Sequence, residues 1–134
     1  MATTFTVATS QTAHFVDITD HVLKAVADSK VHDGLVVVYV PHTTAGITIN
    51  ENADPTVQRD ILTQLDKMIP PSGDYRHAEG NSPAHIKASL MGSSVTVIVA
   101  GGDLQLGKWQ GIYLCEFDGP RRRRVQVKII EGSC

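Results

Sequence analysis

His42, His77 and His85 stand in the segments PHTTAG, DYRHAEGN and SPAHIK, each beside turn-forming or helix-starting residues and other polar groups. Neutral imidazole is a common ligand for zinc, and three protein ligands leave a coordination position open for water or substrate. The same rings suit proton transfer near neutral pH. Spacing does not decide between a shared metal site and separate, hydrogen-bonded histidines. His77 and His85 are eight residues apart across a loop-to-helix junction, and His42 lies on a different element, so the i, i+4 geometry of HExxH is absent. The remaining histidines carry no such signal: His14 falls in a strand pattern, His21 in the helical stretch ITDHVLKAV and His32 in the polar turn KVHDG.

Other residues could work with them. Glu51, just past a strand, suits a base or a group that orients a ligand, although a carboxylate there is also favoured by the start of the next helix. Asn52 and Asn81 can donate to a substrate oxygen and are equally common turn formers. In Gly107-Lys108-Trp109-Gln110 a glycine permits close approach, Trp109 offers a flat apolar wall and the Gln110 amide both donates and accepts. That combination suits a heterocycle, or a tryptophan anchoring the core. In the run Arg121 to Arg124, strand alternation sends Arg121 and Arg123 to one face and Arg122 and Arg124 to the other. One pair could clamp a phosphate and the other keep an edge strand soluble.

The elements that must position these residues mix α and β. TTFTVAT alternates as a strand, Asp17 to Lys30 has helical spacing, and GLVVVYVP is a buried-strand run. AGITIN alternates again and stops before Asp54-Pro55, a cap and first-turn proline that open a helix reaching about Met68. Pro70 to Asn81 is polar and aperiodic, which predicts a surface loop carrying His77 and Asn81. Ser82-Pro83 repeats the start signal and puts His85 in the first turn of a short helix ending near Gly92, with its ring pointing outward. The last third predicts strands at SSVTVIVA, GIYLCEF and RVQVKII, separated by the turn-rich GGDLQLGKWQ and DGP.

A chain of 134 residues with 42% hydrophobic content fits one domain, residues 1–134, with a sizeable core. A formal net charge of -2 does not supply the basic field that nucleic-acid binding needs, so no nucleic-acid partner is expected. No stretch nears the ~18 apolar residues of a membrane span, and the start MATTFTVATSQ lacks a signal-peptide pattern, so no membrane partner and a cytoplasmic location are expected. Cys115, within an apolar strand pattern, and Cys134 make neither a disulfide framework nor a CxxC site.

The motifs PHTTAG, ENADP, YRH, NSPAHIKASLMG and GGDLQLGKWQGIYLCEFDGPRRRRV stand in an order that resembles the YjbQ-like family, also called the secondary thiamine-phosphate synthase family, from about Phe15 to Ile130. The resemblance implies a compact α+β domain, a β-sandwich-like mixed or antiparallel sheet with two to three helices, assembled as a homotrimer. It also implies a polar cleft near subunit contacts where His42, His77 and His85 gather, with Glu51, Asn52, Asn81, Trp109 and Gln110 nearby and Arg121 and Arg123 matching the family's alternating arginines. A divalent metal is part of that expectation, zinc on the histidines or magnesium with a diphosphate substrate. Thr44 keeps the hydroxyl of the family's HTS motif, whereas Lys108 puts a cation where LGTWQ has threonine.

The implied activity joins hydroxymethylpyrimidine diphosphate to thiazole phosphate, releasing pyrophosphate, either as a main or as a side reaction. On this expectation His42, Glu51, His77 and His85 are catalytic, and Asn52, Asn81, Trp109, Gln110, Arg121 and Arg123 bind the phosphorylated substrate. Two alternatives stand beside it: a metal-dependent hydrolase of a small phosphate or amide, and a trimeric ligand- or metal-binding protein without turnover.

Overall fold

The computed structural model describes residues 2–133. In chain order they form β1 (Ala2–Ala8), β2 (His14–Asp17), α1 (Thr19–Ser29), β3 (Gly34–Tyr39), β4 (Ala45–Glu51), α2 (Pro55–Met68), α3 (Ser82–Met91), β5 (Ser94–Ala100), β6 (Asp103–Leu104), β7 (Gln110–Glu116) and β8 (Arg122–Glu131). Local chemistry sets the helix starts. The Asp54 carboxylate accepts the Thr56 N–H at 2.9 Å, ahead of Pro55, whose ring fixes a helical φ. The helical spacing that begins at Asp17 is realised only from Thr19. Asp17 stays in β2, opposite Tyr113, and its carboxylate accepts the Thr19 N–H at 2.9 Å.

The strands make two antiparallel sheets, one of five strands ordered β1-β8-β3-β5-β6 and one of three ordered β2-β7-β4. The turn-rich GGDLQLGKWQ contributes the short β6, which the sequence pattern does not mark. Alternation points Val36 and Val38 of β3, Val97 and Val99 of β5 and Val125 and Val127 of β8 inward, where they meet Ile47, Ile112 and Leu114 of the smaller sheet and Val22 and Val26 of α1. Complete burial of a side chain such as Ile47, Ile112 or Leu114 contributes about 1.5–3 kcal/mol.

The other face of the smaller sheet carries Phe15, Tyr113, Cys115 and Phe117, covered by Leu65 and Ile69 at the end of α2 and by Ala84 and Ala88 of α3. With both faces covered, β7 is buried from Gly111 to Glu116. Burial holds the Cys115 thiol protonated by raising its pKa, which makes it an inert core group. Cys134 lies outside the described residues. None of the described helices is long and apolar enough to cross a membrane.

Candidate functional site

Where β3 leaves the larger sheet, residues 40–44 cross to β4 and carry His42 over the start of β8. The Arg124 N–H donates to His42 Nε2 at 2.9 Å, so the neutral ring bears its proton on Nδ1. Partial burial, then the charges of Arg123 and Arg124, lower the His42 pKa below its ordinary 6.5. This histidine is a neutral acceptor whose Nε2 lone pair is already used.

His77, on the loop after α2, and His85, in the first turns of α3, meet edge to face with ring centroids 5.2 Å apart. His77 Nε2 lies 4.0 Å from Glu79 Oε2. The three histidines line one cleft of about 410 Å³ together with Asn81, Asp118 and Arg121, and a neighbouring lobe of about 460 Å³ shares His42, Thr43 and His85. The expected gathering of histidines is therefore present within a single chain. Their ring nitrogens do not converge as a ligand set: among the described residues no group of three or more His, Cys, Asp or Glu side chains is placed to hold a metal ion.

One wall of the cleft is an ordered polar network. Arg123, buried in β8, donates through Nε to Glu116 Oε1 at 2.8 Å and pairs with Glu116 Oε2. It also donates to the Thr44 hydroxyl at 2.8 Å and the Thr44 carbonyl at 3.2 Å, which fastens the segment carrying His42. Glu116 further accepts the Thr9 hydroxyl and the Asp118 N–H. Burial pushes the Glu116 carboxyl up, but the bonds from Arg123, Thr9 and the Asp118 N–H outweigh it and hold the pKa below 4.5.

The network continues to the cleft mouth. The Asn81 amide donates to Asp118 Oδ2 at 2.9 Å, and Arg121 donates to the same oxygen at 3.0 Å and to the Asp118 carbonyl at 2.8 Å. These bonds overcome the effect of burial and keep the Asp118 carboxyl below its usual range. Asn81 Oδ1 is buried without a hydrogen-bond partner. Because its amide turns to Asp118, Asn81 makes no side-chain cap on α3, whose N-terminus opens onto the cleft with its partial positive charge.

The arginine run divides differently from the expected pairs. β8 begins at Arg122, so only Arg123 is sent inward, while Arg122 and Arg124 face out and Arg121 precedes the strand. Arg123 belongs to the wall, its guanidinium committed to Glu116 and Thr44. Arg121, about half exposed, is the arginine at the mouth.

Glu51, Asn52, Trp109 and Gln110 are not beside the histidines of their own chain. Ala45 pairs with Glu116 at the histidine end of β4, whereas Glu51 pairs with Gln110 at the other end, roughly 20 Å away at the rise of an extended strand. There Glu51 Oε2 accepts the Ala53 N–H at 2.8 Å, Asn52 Nδ2 donates to the Gln110 carbonyl at 3.2 Å and Gln110 Oε1 accepts the Gly107 N–H at 2.7 Å. These side chains shape turns. Trp109 is 55% exposed, with the Lys108 ammonium 4.9 Å from its ring centroid.

Sequence reasoning passed over Asp118 and Glu116. Asp118 read as part of the turn DGP and Glu116 as the end of an apolar strand. An acid three residues before Arg121, and another seven before Arg123, are the only signals that could have drawn them out.

Comparison with known proteins agrees with this architecture. A UPF0047 protein of Methanocaldococcus jannaschii is 55% identical over 126 residues, covering 94% of this chain and 91% of its own. The UPF0047 protein YugU of Bacillus subtilis is 47% identical, over 97% of this chain and 99% of its own. A crystal structure from Clostridium acetobutylicum, an uncharacterized conserved protein of the yjbq/upf0047 family, superposes with a TM-score of 0.95 at 63% identity and covers 96% of this chain and 99% of its own. A YbjQ-like protein of unknown function from Sulfolobus solfataricus gives 0.94 at 34% identity, over 98% and 97%. Residues 3–132 match the family described as UPF0047 protein YjbQ-like, and with relatives this similar over nearly its whole length the chain belongs to that family.

Proposed function

We propose that the histidine cleft takes a phosphorylated small molecule and acts as a thiamine-phosphate synthase. The observation that carries this reading is the convergence of His77, His85, Arg121 and the N-terminus of α3 on one open cleft. Cationic and proton-donating groups around a helix N-terminus suit a phosphate, and above all a leaving diphosphate. In the reaction, the thiazole nitrogen uses its lone pair to form a bond to the pyrimidine methylene. The methylene C–O bond breaks, and its electron pair leaves with pyrophosphate. No proton has to be removed from the nucleophile.

Arg121 then contacts the phosphates, His77 and His85 donate to the departing oxygens, and Asn81, bonded to Asp118, holds the start of α3 at the cleft. His42, held neutral, fixes the segment that faces them. The donor set does not fit a three-histidine zinc site, because His42 Nε2 is occupied by the Arg124 N–H. A divalent ion enters this reading as the companion of the diphosphate. In this reading the protein works as a homotrimer, supported by the exposed apolar row of Leu35, Ile98 and Ile130 on the outer face of the larger sheet. Glu51, Asn52, Trp109 and Gln110 have no direct part in the chemistry of their own chain's cleft.

The test is formation of thiamine phosphate from the two substrates with magnesium, by the wild type and by single variants. His77→Ala and His85→Ala should each lose roughly 100-fold, the scale of one proton-transfer group. Glu51→Gln should stay close to wild type. Full activity of His77→Ala in the correctly assembled protein would overturn the reading. Phosphate release from a single ester without the second substrate would point instead to a hydrolase, and saturable binding without product to a binding protein.

A further inference from the structure

The two lobes of the histidine cleft share His42, Thr43 and His85 but differ in chemistry. Glu79, Asp118, Arg121 and Arg123 all line the mouth lobe of about 410 Å³, whereas no acidic or basic side chain other than the shared imidazoles lines the lobe of about 460 Å³. The second lobe has small walls instead. Ala45 and Ala88, both buried, form its floor, and Ser89, Gly92 and Ser93 form its side. Those walls are fastened to one another, because the Gly92 carbonyl accepts the Ile47 N–H at 3.0 Å and the Ser93 carbonyl accepts the Val40 N–H at 2.8 Å. A preformed, uncharged space adjoining a phosphate site suits the uncharged part of the same ligand.

His42 stands between the lobes as a donor of fixed identity. Its Nε2 accepts the Arg124 N–H, so the proton of the neutral ring is on Nδ1, on the side turned away from β8. That N–H has no partner among the described residues, and it is not buried: the buried side-chain polar atoms left without a partner there are His14 Nδ1 and Asn81 Oδ1. It therefore opens onto the cleft that the ring lines. An imidazole free to choose its tautomer serves either a donor or an acceptor on a ligand, whereas this one, when neutral, serves an acceptor alone.

Resting on the phosphate reading of this cleft, we propose that the second lobe holds the organic part of the phosphorylated ligand, a compact ring bearing a hydrogen-bond acceptor that His42 Nδ1–H recognises. The anion stays in the mouth lobe with Arg121 and the start of α3. His42 then selects the ring by its acceptor, and Ser89 limits its size.

The test is calorimetric titration of the full-length protein with inorganic pyrophosphate, with benzyl phosphate, and with meta- and para-pyridylmethyl phosphate, which add a ring acceptor to the benzyl shape. At least one pyridyl probe should bind roughly fivefold to tenfold tighter than benzyl phosphate, the scale of one hydrogen bond. His42→Phe should abolish that preference. Ser89→Leu, at an exposed helix position, should fill the lobe and weaken every ring-bearing probe about tenfold while leaving pyrophosphate unchanged. NMR of the ring nitrogens supplies a readout that needs no variant: free His42 should be protonated on Nδ1, and that resonance should move with a pyridyl probe. Equal affinity of the three ring-bearing probes, ring binding untouched by Ser89→Leu, a pyridyl preference that survives His42→Phe, or a His42 protonated on Nε2 would each overturn the assignment of the lobe and leave the phosphate reading in place. Pyrophosphate that does not bind the wild type would sink both.

Discussion

Arg123 shows how much one buried side chain can decide. It is 3% exposed and Glu116 is completely buried, so removing one partner leaves the other's charge without compensation. Arg123→Met should therefore destabilise the protein by about 3–5 kcal/mol, read from the urea midpoint. Replacing both, as in R123M/E116L, should recover much of that loss, because the desolvation of two ions disappears as well. The sign of the pH dependence follows from the lowered Glu116 pKa. Its contribution is fully present above the unfolded value near 4.5 and is lost as pH falls through the lower folded value, so acid unfolding of the wild type should be steep below pH 4.5. His42 also has a lowered pKa, but as a base: the native state binds fewer protons than the unfolded chain, so stability rises with pH through the window just below 6.5. An NMR titration should place the His42 midpoint below 6.5, and a midpoint above it would mean that the Arg124 N–H does not hold its Nε2.

At the scale of elements, the cleft depends on how closely α3 approaches β4. A Cβ on Gly46 would lie 2.8 Å from the Gly92 carbonyl oxygen and 2.9 Å from Met91 Cβ, beside the Ile47 N–H bond to that same carbonyl at 3.0 Å. Gly46→Ala must push the end of α3 outward. We expect a cost of about 1–3 kcal/mol in a thermal melt, together with a change in the ring-current shifts of His77 and His85 as α3 tilts. An alanine variant with wild-type melting and unchanged histidine shifts would show that α3 does not rest on this contact. The sequence marked α2 through the Asp54 cap and Pro55, and α3 through Pro83, because caps and prolines act within one turn; the cap expected at Ser82 is not made, since Ser82 is itself the first residue of α3 and no side chain caps it. It also brought out the three histidines of the cleft. It could not reveal that Arg123 would be locked to Glu116, nor that Glu51 and Trp109 would lie at the opposite end from His42. Both depend on strand pairing between residues far apart in the chain, and alternation gives the faces of a strand without its neighbours or its register.

On the scale of the whole molecule, the asymmetry of covering is the main feature. The smaller sheet is packed on both faces, whereas among the described residues no helix covers the outer face of the larger sheet. There Leu35 stands opposite both Ile98 and Ile130, at 42%, 59% and 47% exposure, so three large apolar side chains form one row across β5, β3 and β8. Such a contiguous exposed row is where the trimer proposed above would bury apolar surface. In the trimer proposed above, a threefold ring is built from heterologous contacts, so the row meets a different surface of the next subunit, and one charge placed in it disturbs every interface of the ring. Ile98→Lys removes apolar area from all three contacts without entering the core, since its strand neighbours Val97 and Val99 supply the inward face. Light scattering should therefore show a trimeric wild type and a folded, smaller Ile98→Lys species with an unchanged circular dichroism spectrum. Assembly by mass action also predicts that the variant's remaining trimer increases with protein concentration. A wild type that is monomeric at micromolar concentration would sink the trimer. A variant that remains fully trimeric would move the contact away from this face.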